Sequence, residues 1–393
     1  MDSDPSPDLA GLLPQGSLTL RVLGADPPLL AGRHPARFRT YDEAMSRHAR
    51  PFGLVVILTA VLGLLAIAPA VARPGQPVPP VPPVSPSDGA AALAQAPAPD
   101  TLAGLYSTTS MDLILLERRK GPAAALKALE RRIEKDGRLG GVCHAIAHEI
   151  GHEALTEAGG NVSKALTNRN DVCGGGYTHG IIEVALGSSK HPAKDLLVVC
   201  APKQDGSCFH GVGHGLMFAT GMDLALSLRL CDKSPTSMLV ARCGEGVFMQ
   251  LFGADASTAH LGGASPPTLA SARTTCRGTR ARYAANCWFY APTVWLAARP
   301  DDFTGAMGWC SAAGSTLGAQ LCAKGVGSRT IKYHPDDPRI GAAVCAASGD
   351  LTDPCLSGMG SYWSVHFKGQ KPPSDVCGHL GSAALATRCR AVT

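Results

Sequence analysis

The sequence predicts an all-α fold: a disulfide-clamped α-solenoid of helix-hairpin repeats behind one N-terminal hydrophobic helix. Three observations lead to this prediction. The chain of 393 residues contains 14 cysteines, and most of them recur in pairs at a regular spacing. A long uncharged aliphatic segment near the N-terminus directs the rest of the chain to a compartment where cysteines form disulfides. The 45 glycines and the aromatic content of only 5% favour helices that pack closely through small side chains.

The first hundred residues have the composition of a delivery segment. Residues 1–50 lack sustained periodicity, which predicts a disordered cytoplasmic N-terminus. Residues 51–72 contain no charge and are long enough to cross a bilayer of about 30 Å as a transmembrane helix. Basic residues precede this helix, and after Arg73 none recurs before Arg118. By the positive-inside rule, the chain is a single-pass protein of the cell membrane with its C-terminal domain outside.

The hydrophobic segment also has a second interpretation, as a cleaved signal peptide. If Met45 is the true start, a short basic region and an apolar core precede a small-residue cleavage site that ends at Ala72. The protein would then be secreted rather than anchored. In both cases residues 73–100, with nine prolines, form a semi-extended linker to an extracytoplasmic Cys-rich helical-repeat domain over residues 101–393.

The cysteines after residue 100 indicate an internal repeat. Six pairs are separated by 8 to 12 positions, and their second members follow one another at intervals of 35, 44, 35, 33 and 34 residues. This period suits a helix-turn-helix unit, in which each bridge clamps two helices across a short loop. Spacing alone does not fix the partners of fourteen cysteines, so a mixed connectivity stays open. The favoured disulfides are Cys143–Cys173, Cys200–Cys208, Cys231–Cys243, Cys276–Cys287, Cys310–Cys322, Cys345–Cys355 and Cys377–Cys389.

Glycines follow the second cysteine of several pairs. The chain reads C-x-x-G-x-G from Cys208, Cys322 and Cys355. Glycine costs about 1 kcal/mol against alanine within a helix, so its recurrence indicates that neighbouring backbones approach closely there. The repeat length resembles that of tetratricopeptide and Sel1-like arrays, and this resemblance concerns architecture alone. The outer surface of such an array offers a place for a protein or peptide partner.

Histidines cluster in the first three repeats. Six of the 13 histidines lie on the predicted second helices of these repeats, and their spacing by four places them on one face of each helix. Neutral imidazole is a common ligand of zinc, copper and iron, so the cluster predicts a site for one of these transition metals. The alternative is that the histidines are polar packing residues bonded to neighbouring carbonyls. The predicted core ligands are His148, His179 and His214, flanked by His152, Glu183, His144 and His210.

The second helix of the first repeat contains an HExxH motif, which resembles the zincin metallopeptidases. This resemblance implies that His148 and His152 bind zinc and that Glu149 is the catalytic base. The third ligand would then be Glu183 or His179. A zinc metallopeptidase is therefore the first alternative to a metal-binding protein, and a metal-free protein-interaction solenoid is the second.

A broader pattern covers residues 120–255. The strings CHxxxHEIGH, YTHGxxE and CFHGVGHGLM resemble uncharacterised Cys/His-rich exported bacterial proteins, a resemblance that implies no known activity. Helical repeats that bear His-Glu steps are also similar to HEAT-repeat di-iron hydroxylases, which implies an oxidative metal centre. The net charge of +5 comes from scattered basic residues, so no nucleic-acid partner is predicted. His366 and His379 stand alone in the sequence and are expected to have surface or packing roles.

Overall fold

The computed structural model describes residues 101–253, 267–367 and 375–393. The predicted N-terminus, transmembrane segment and linker, residues 1–100, lie outside these ranges. Within them, no helix has the length and apolar character needed to cross a membrane. The described residues form helices and turns without any β-strand, which confirms the predicted all-α class.

The helices of the N-terminal half alternate with short turns and 3-10 segments. The first two form an antiparallel pair, and the third carries the HExxH motif. The helices are α1 (Leu102–Lys120), α2 (Pro122–Lys135), α3 (Cys143–Glu157), α4 (Val162–Ala165), α5 (Gly176–Gly187), α6 (Pro192–Val199), α7 (Gly206–Ala219), α8 (Leu224–Cys231) and α9 (Ser237–Leu251).

The C-terminal half continues the hairpins. Its longest helix, α14, runs beside the last long helix, α16. The helices are α10 (Leu269–Gly278), α11 (Ala281–Tyr290), α12 (Pro292–Ala298), α13 (Phe303–Ser311), α14 (Thr316–Tyr333), α15 (Pro338–Ala346), α16 (Thr352–His366) and α17 (Ala383–Val392).

The disulfides have the pairing that the spacing of the cysteines favours. All fourteen cysteines lie in the described ranges and form the seven predicted pairs, with Cα–Cα distances of 5.4 to 5.8 Å. In the hairpin of α8 and α9, Cys231 ends the first helix and Cys243 lies within the second. Asp223 and Thr236 cap the N-termini of these two helices by accepting from backbone N–H groups. This bridge therefore joins two helices whose N-termini are already defined by local sequence.

Glycines let the inner helices pack with their backbones close together. A Cβ added at Gly180 on α5 would overlap the carbonyl oxygen of His148 on α3, and one at Gly246 on α9 would overlap that of His210 on α7. Neither site has room for any side chain. The predicted close approach of neighbouring backbones is therefore confirmed, and it brings the histidines of adjacent helices within reach of one another.

The array of helices closes into a ring, a feature that was not predicted from the sequence. Seven inner helices, α3, α5, α7, α9, α11, α14 and α16, contact one another in that order. At the seam, the Tyr362 hydroxyl on α16 donates to the carbonyl of Gly140 at 3.4 Å. The ring centroids of His366 and His144 lie 5.5 Å apart across the same seam. The last inner helix thus lies next to the first, and the inner helices line a central cavity.

Candidate metal centre

The histidine cluster lies on the inward faces of α3, α5 and α7, next to the seam. The i, i+4 spacing along α3 and α7 aligns their imidazoles on one face, and the glycine contacts bring the three helices together. Five imidazoles are at most 5% exposed. A buried polar ring needs a hydrogen bond or a ligand, so the partners of each nitrogen decide what the cluster can do. The five are His144, His148, His179, His210 and His214.

The Nδ1 atoms of His144 and His148 each donate to an oxygen. His144 Nδ1 lies 2.7 Å from the carbonyl oxygen of Cys173, which can only accept. His148 Nδ1 lies 2.9 Å from a carboxylate oxygen of Glu183. Cys173 has a left-handed φ of 55°, and its disulfide to Cys143 holds this turn against the start of α3. The fold therefore fixes the tautomer of both rings and leaves their Nε2 atoms as acceptors.

Three ring nitrogens converge between α3 and α5. His144 Nε2 lies 3.1 Å from His148 Nε2 and 3.2 Å from His179 Nδ1. Two lone pairs that face each other at this distance repel unless a proton or a cation lies between them. A tetrahedral ion with metal–nitrogen bonds of about 2.0–2.1 Å separates its ligand nitrogens by about 3.3–3.4 Å. The observed spacing is close to that value.

The protonation states of these rings favour metal binding. Burial lowers the pKa of His148 to about 3, although the Glu183 carboxylate acts in the opposite direction. Burial, together with the neighbouring imidazoles, also holds the pKa of His179 well below its ordinary value. The Ser207 hydroxyl lies 3.1 Å from His179 Nε2 and can accept a hydrogen bond from it, which leaves Nδ1 with its lone pair. Neutral imidazole is the form that binds a metal ion.

A second group with metal-ligand potential shares His148 and lies on its other side. His148, His152 and Glu183 each place a ligand atom within 4.8 Å of the others. His152 lies between two carboxylates, with Nε2 3.8 Å from Glu183 and Nδ1 3.6 Å from Glu149. Burial opposes the charge of His152, but these carboxylates raise its pKa to about 9. His152 is therefore protonated at neutral pH, and a metal ion must displace that proton to bind there.

The HExxH residues are arranged differently from the zincin-like prediction. His148 directs Nε2 at His144, and its nitrogen toward the second group is Nδ1. Its ring centroid lies 6.3 Å from that of His152. Glu149, the predicted base, accepts from the Tyr106 hydroxyl at 2.5 Å. Both imidazoles of the motif therefore belong to the second group, whereas His148 alone also belongs to the first.

The predicted core of His148, His179 and His214 needs one correction. The structure brings His144 into the converging set in place of His214. His214 donates from Nδ1 to the Gln250 side chain on α9 at 2.9 Å, and this bond holds its ring toward the next helix. Its centroid is still 5.2 Å from that of His148, and its Nε2 is buried without a hydrogen-bond partner among the described residues.

His210 flanks the site as a stacked ring. It lies parallel to His179, with ring centroids 4.4 Å apart and planes inclined by 19°. Its Nδ1 is 3.6 Å from Glu245, too far for a strong hydrogen bond. Burial lowers the pKa of His210 to about 4, despite the opposing effect of Glu245. His210 is thus a neutral ring within reach of the site.

The cluster forms one wall of the central cavity, which has a volume of about 400 Å³ and is partly open. His144, His179 and His210 line this wall. Across the seam, His366 lines the same cavity and stacks on Tyr362 with a centroid distance of 4.1 Å. His366, which was expected to have a surface or packing role, thus packs on a ring and also borders the cavity. No pattern in the sequence marks this residue, because only ring closure brings it to His144.

Comparisons of the chain with protein-family models, with curated proteins and with solved structures find no match.

Proposed function

We propose that this protein binds a transition metal ion through His144 Nε2, His148 Nε2 and His179 Nδ1. The single observation that carries the proposal is the 3.1 Å separation of two Nε2 atoms whose rings already donate from Nδ1. The donor set is all imidazole, which suits zinc, copper or iron. Such an ion in a three-histidine site keeps a coordination position open and supplies Lewis-acid chemistry or an activated water.

Two further groups of this chain position the ligands. The Cys173 carbonyl and the Glu183 carboxylate fix the rings of His144 and His148 through their Nδ1 atoms, as the outer partners of metal-bound histidines do. Glu183 also makes His148 more basic toward an ion. The proposed site borders the central cavity, since His144 and His179 both line it.

Metal stoichiometry in matched variants tests the proposal. The full chain with its disulfides intact is stripped with a chelator, titrated with Zn²⁺, Cu²⁺ or Fe²⁺, and analysed for bound metal. We expect one tight equivalent, its loss in His144→Ala and its retention in His152→Ala. His191→Ala, at an exposed histidine outside the cluster, is the control. Absence of a stoichiometric ion from the folded wild type would leave the histidines as hydrogen-bonded packing groups of an interaction scaffold.

The second group supports one alternative, the zinc peptidase implied by HExxH. His148, His152 and Glu183 are the ligands that this alternative requires, and they lie within 4.8 Å of one another. The peptidase alternative makes the opposite prediction for the same variants: His152→Ala loses the ion, and His144→Ala keeps it. In addition, Glu149→Gln would preserve zinc and abolish peptide cleavage.

We also infer that the domain works outside the cytoplasm. All fourteen cysteines are paired in disulfides, a usage typical of an oxidising compartment. The uncharged segment over residues 51–72 would deliver it there, either as an anchor or as a cleaved signal. Mass spectrometry of the mature protein from its native cell separates these cases, because cleavage after Ala72 leaves Arg73 at the N-terminus. Recovery of the reduced protein from the cytosolic fraction would contradict the inference.

A further inference from the structure

The wall opposite the histidines is rich in cations. Four basic side chains and one carboxylate line the cavity from α9 and α14. The carboxylate, Glu245, is paired with Arg242 through a short contact, so it already has a counter-charge. The three other basic side chains are Lys324, Arg329 and Lys332, and all of them lie on α14.

Arg329 is a buried cation for which the described residues supply no paired carboxylate. It is 2% exposed, and its Nε and Nη1 donate to the hydroxyls of Thr293 and Ser328 at 3.1 and 3.0 Å. Its Nη2 has no acceptor within the described ranges. A guanidinium buried among neutral partners is unfavourable unless an anion completes its shell. A planar fork with one open donor is suited to an oxyanion such as a carboxylate.

Aromatic and apolar groups form the rest of this wall. The Arg329 guanidinium lies over the rings of Phe289 and Tyr290, 5.5 and 5.2 Å from their centroids. Val365 also lines the cavity and is 52% exposed, so the cavity reaches solvent there. A volume of about 400 Å³ lies within the range of small-molecule sites. The space therefore suits an organic molecule rather than a bare inorganic ion.

We propose that the cavity binds a small organic oxyanion, with its charged group on Arg329 and Lys324 and its apolar part against Phe289 and Tyr290. The ligand would lie between this wall and the histidines. The proposal concerns a different set of residues from the metal ligands, and it holds whether or not a metal ion is bound.

Three probe molecules distinguish the contribution of a ligand's negative charge to binding from that of its aromatic body. Naphthoate carries a carboxylate on an aromatic body, naphthamide is its uncharged counterpart, and sulfate is an anion without a body. Each is titrated by calorimetry into the chelator-treated full chain. Because the naphthoate carboxylate can accept a charge-assisted hydrogen bond in the cavity, we expect naphthoate to bind about tenfold to a hundredfold more tightly than naphthamide. Equal affinities for these two, failure of naphthoate to bind, or sulfate binding as tight as naphthoate would overturn the proposal.

Variants locate the site. Arg329→Gln should reduce naphthoate affinity by about tenfold or more and leave naphthamide unchanged. Lys324→Met, at a half-buried position, gives the same test if the first variant fails to fold. Arg299→Gln is the control, because this arginine also stacks on a ring, that of Trp295, but does not line the cavity. His148→Ala should keep naphthoate binding whatever it does to metal, because this proposed ligand does not line the cavity, so the two proposals fail independently. Unchanged naphthoate binding in both folded cavity variants would refute this one.

Discussion

The buried histidines predict that the metal-free protein loses stability in mild acid. The pKa of His148 is lowered to about 3 and that of His210 to about 4, in both cases chiefly by burial. Burial also keeps the pKa of His179 well below its ordinary value. In the unfolded chain all three titrate near the ordinary value of about 6.5. At pH values between the folded-state and the unfolded-state pKa values, the unfolded chain binds protons that the folded protein excludes. Acidification therefore favours unfolding.

The magnitude follows from this linkage. Each imidazole that is neutral when folded and charged when unfolded contributes at most about 1.4 kcal/mol per pH unit. Three such groups give a slope of up to about 4 kcal/mol per unit below pH 6, against a total stability of about 5–15 kcal/mol for a domain. A fall of two pH units, from about 6.5 to 4.5, is therefore enough to remove much of that stability.

Denaturant unfolding with the disulfides intact measures this effect. Midpoints are recorded in chelator across the acid range for the wild type and for His210→Asn, which removes one titrating ring and should lower the slope by about a third. His152 changes stability with pH in the opposite direction, because its carboxylate neighbours raise its pKa to about 9. Its contribution is complete below about pH 6.5 and is lost as the pH rises through 9. A flat profile through the acid range would refute the assignment of neutral, buried imidazoles.

Two further predictions concern the frame around the site. Gly180→Ala should cost about 1–3 kcal/mol in unfolding experiments and weaken metal binding, because its Cβ meets the His148 carbonyl. Gly308→Ala, within α13 in open space, should instead stabilise by about 0.5–1 kcal/mol. Replacing Cys310 and Cys322 together with alanine should lower the unfolding free energy by about 2–4 kcal/mol; no change in the denaturation midpoint would contradict a clamping role.

The features predicted from sequence are those encoded over short distances. The helix before this bridge spans Leu224–Cys231, and the predicted bridge from Cys231 to Cys243 spans only 12 positions. A hairpin of this size brings its two cysteines together whatever the rest of the fold does. The recurrence of such hairpins, with glycine at the helix starts, was therefore enough to predict stacked helices and close backbones.

The site was predicted only to the level of the helix register. Alignment of the repeats places His148 near His179, as observed, because both lie on adjacent inner helices. It cannot show which way a ring turns, since that depends on partners elsewhere. His214 turns to Gln250 on the following helix, and His144 is held by the Cys173 carbonyl on a left-handed turn. A hydrogen bond to a neighbouring element thus decided which imidazoles converge.

Ring closure explains why the rest of the site was absent from the sequence analysis. In an open array the first and last repeats would lie far apart, and His366 and Arg329 would face different surroundings from His144. Here the hairpins of α3, α5 and α7 supply imidazoles, while α14 supplies cations to the same cavity. Closure of the ring places both walls around the same space, which reaches solvent at Val365, and this is the step that turns two local patterns into one site.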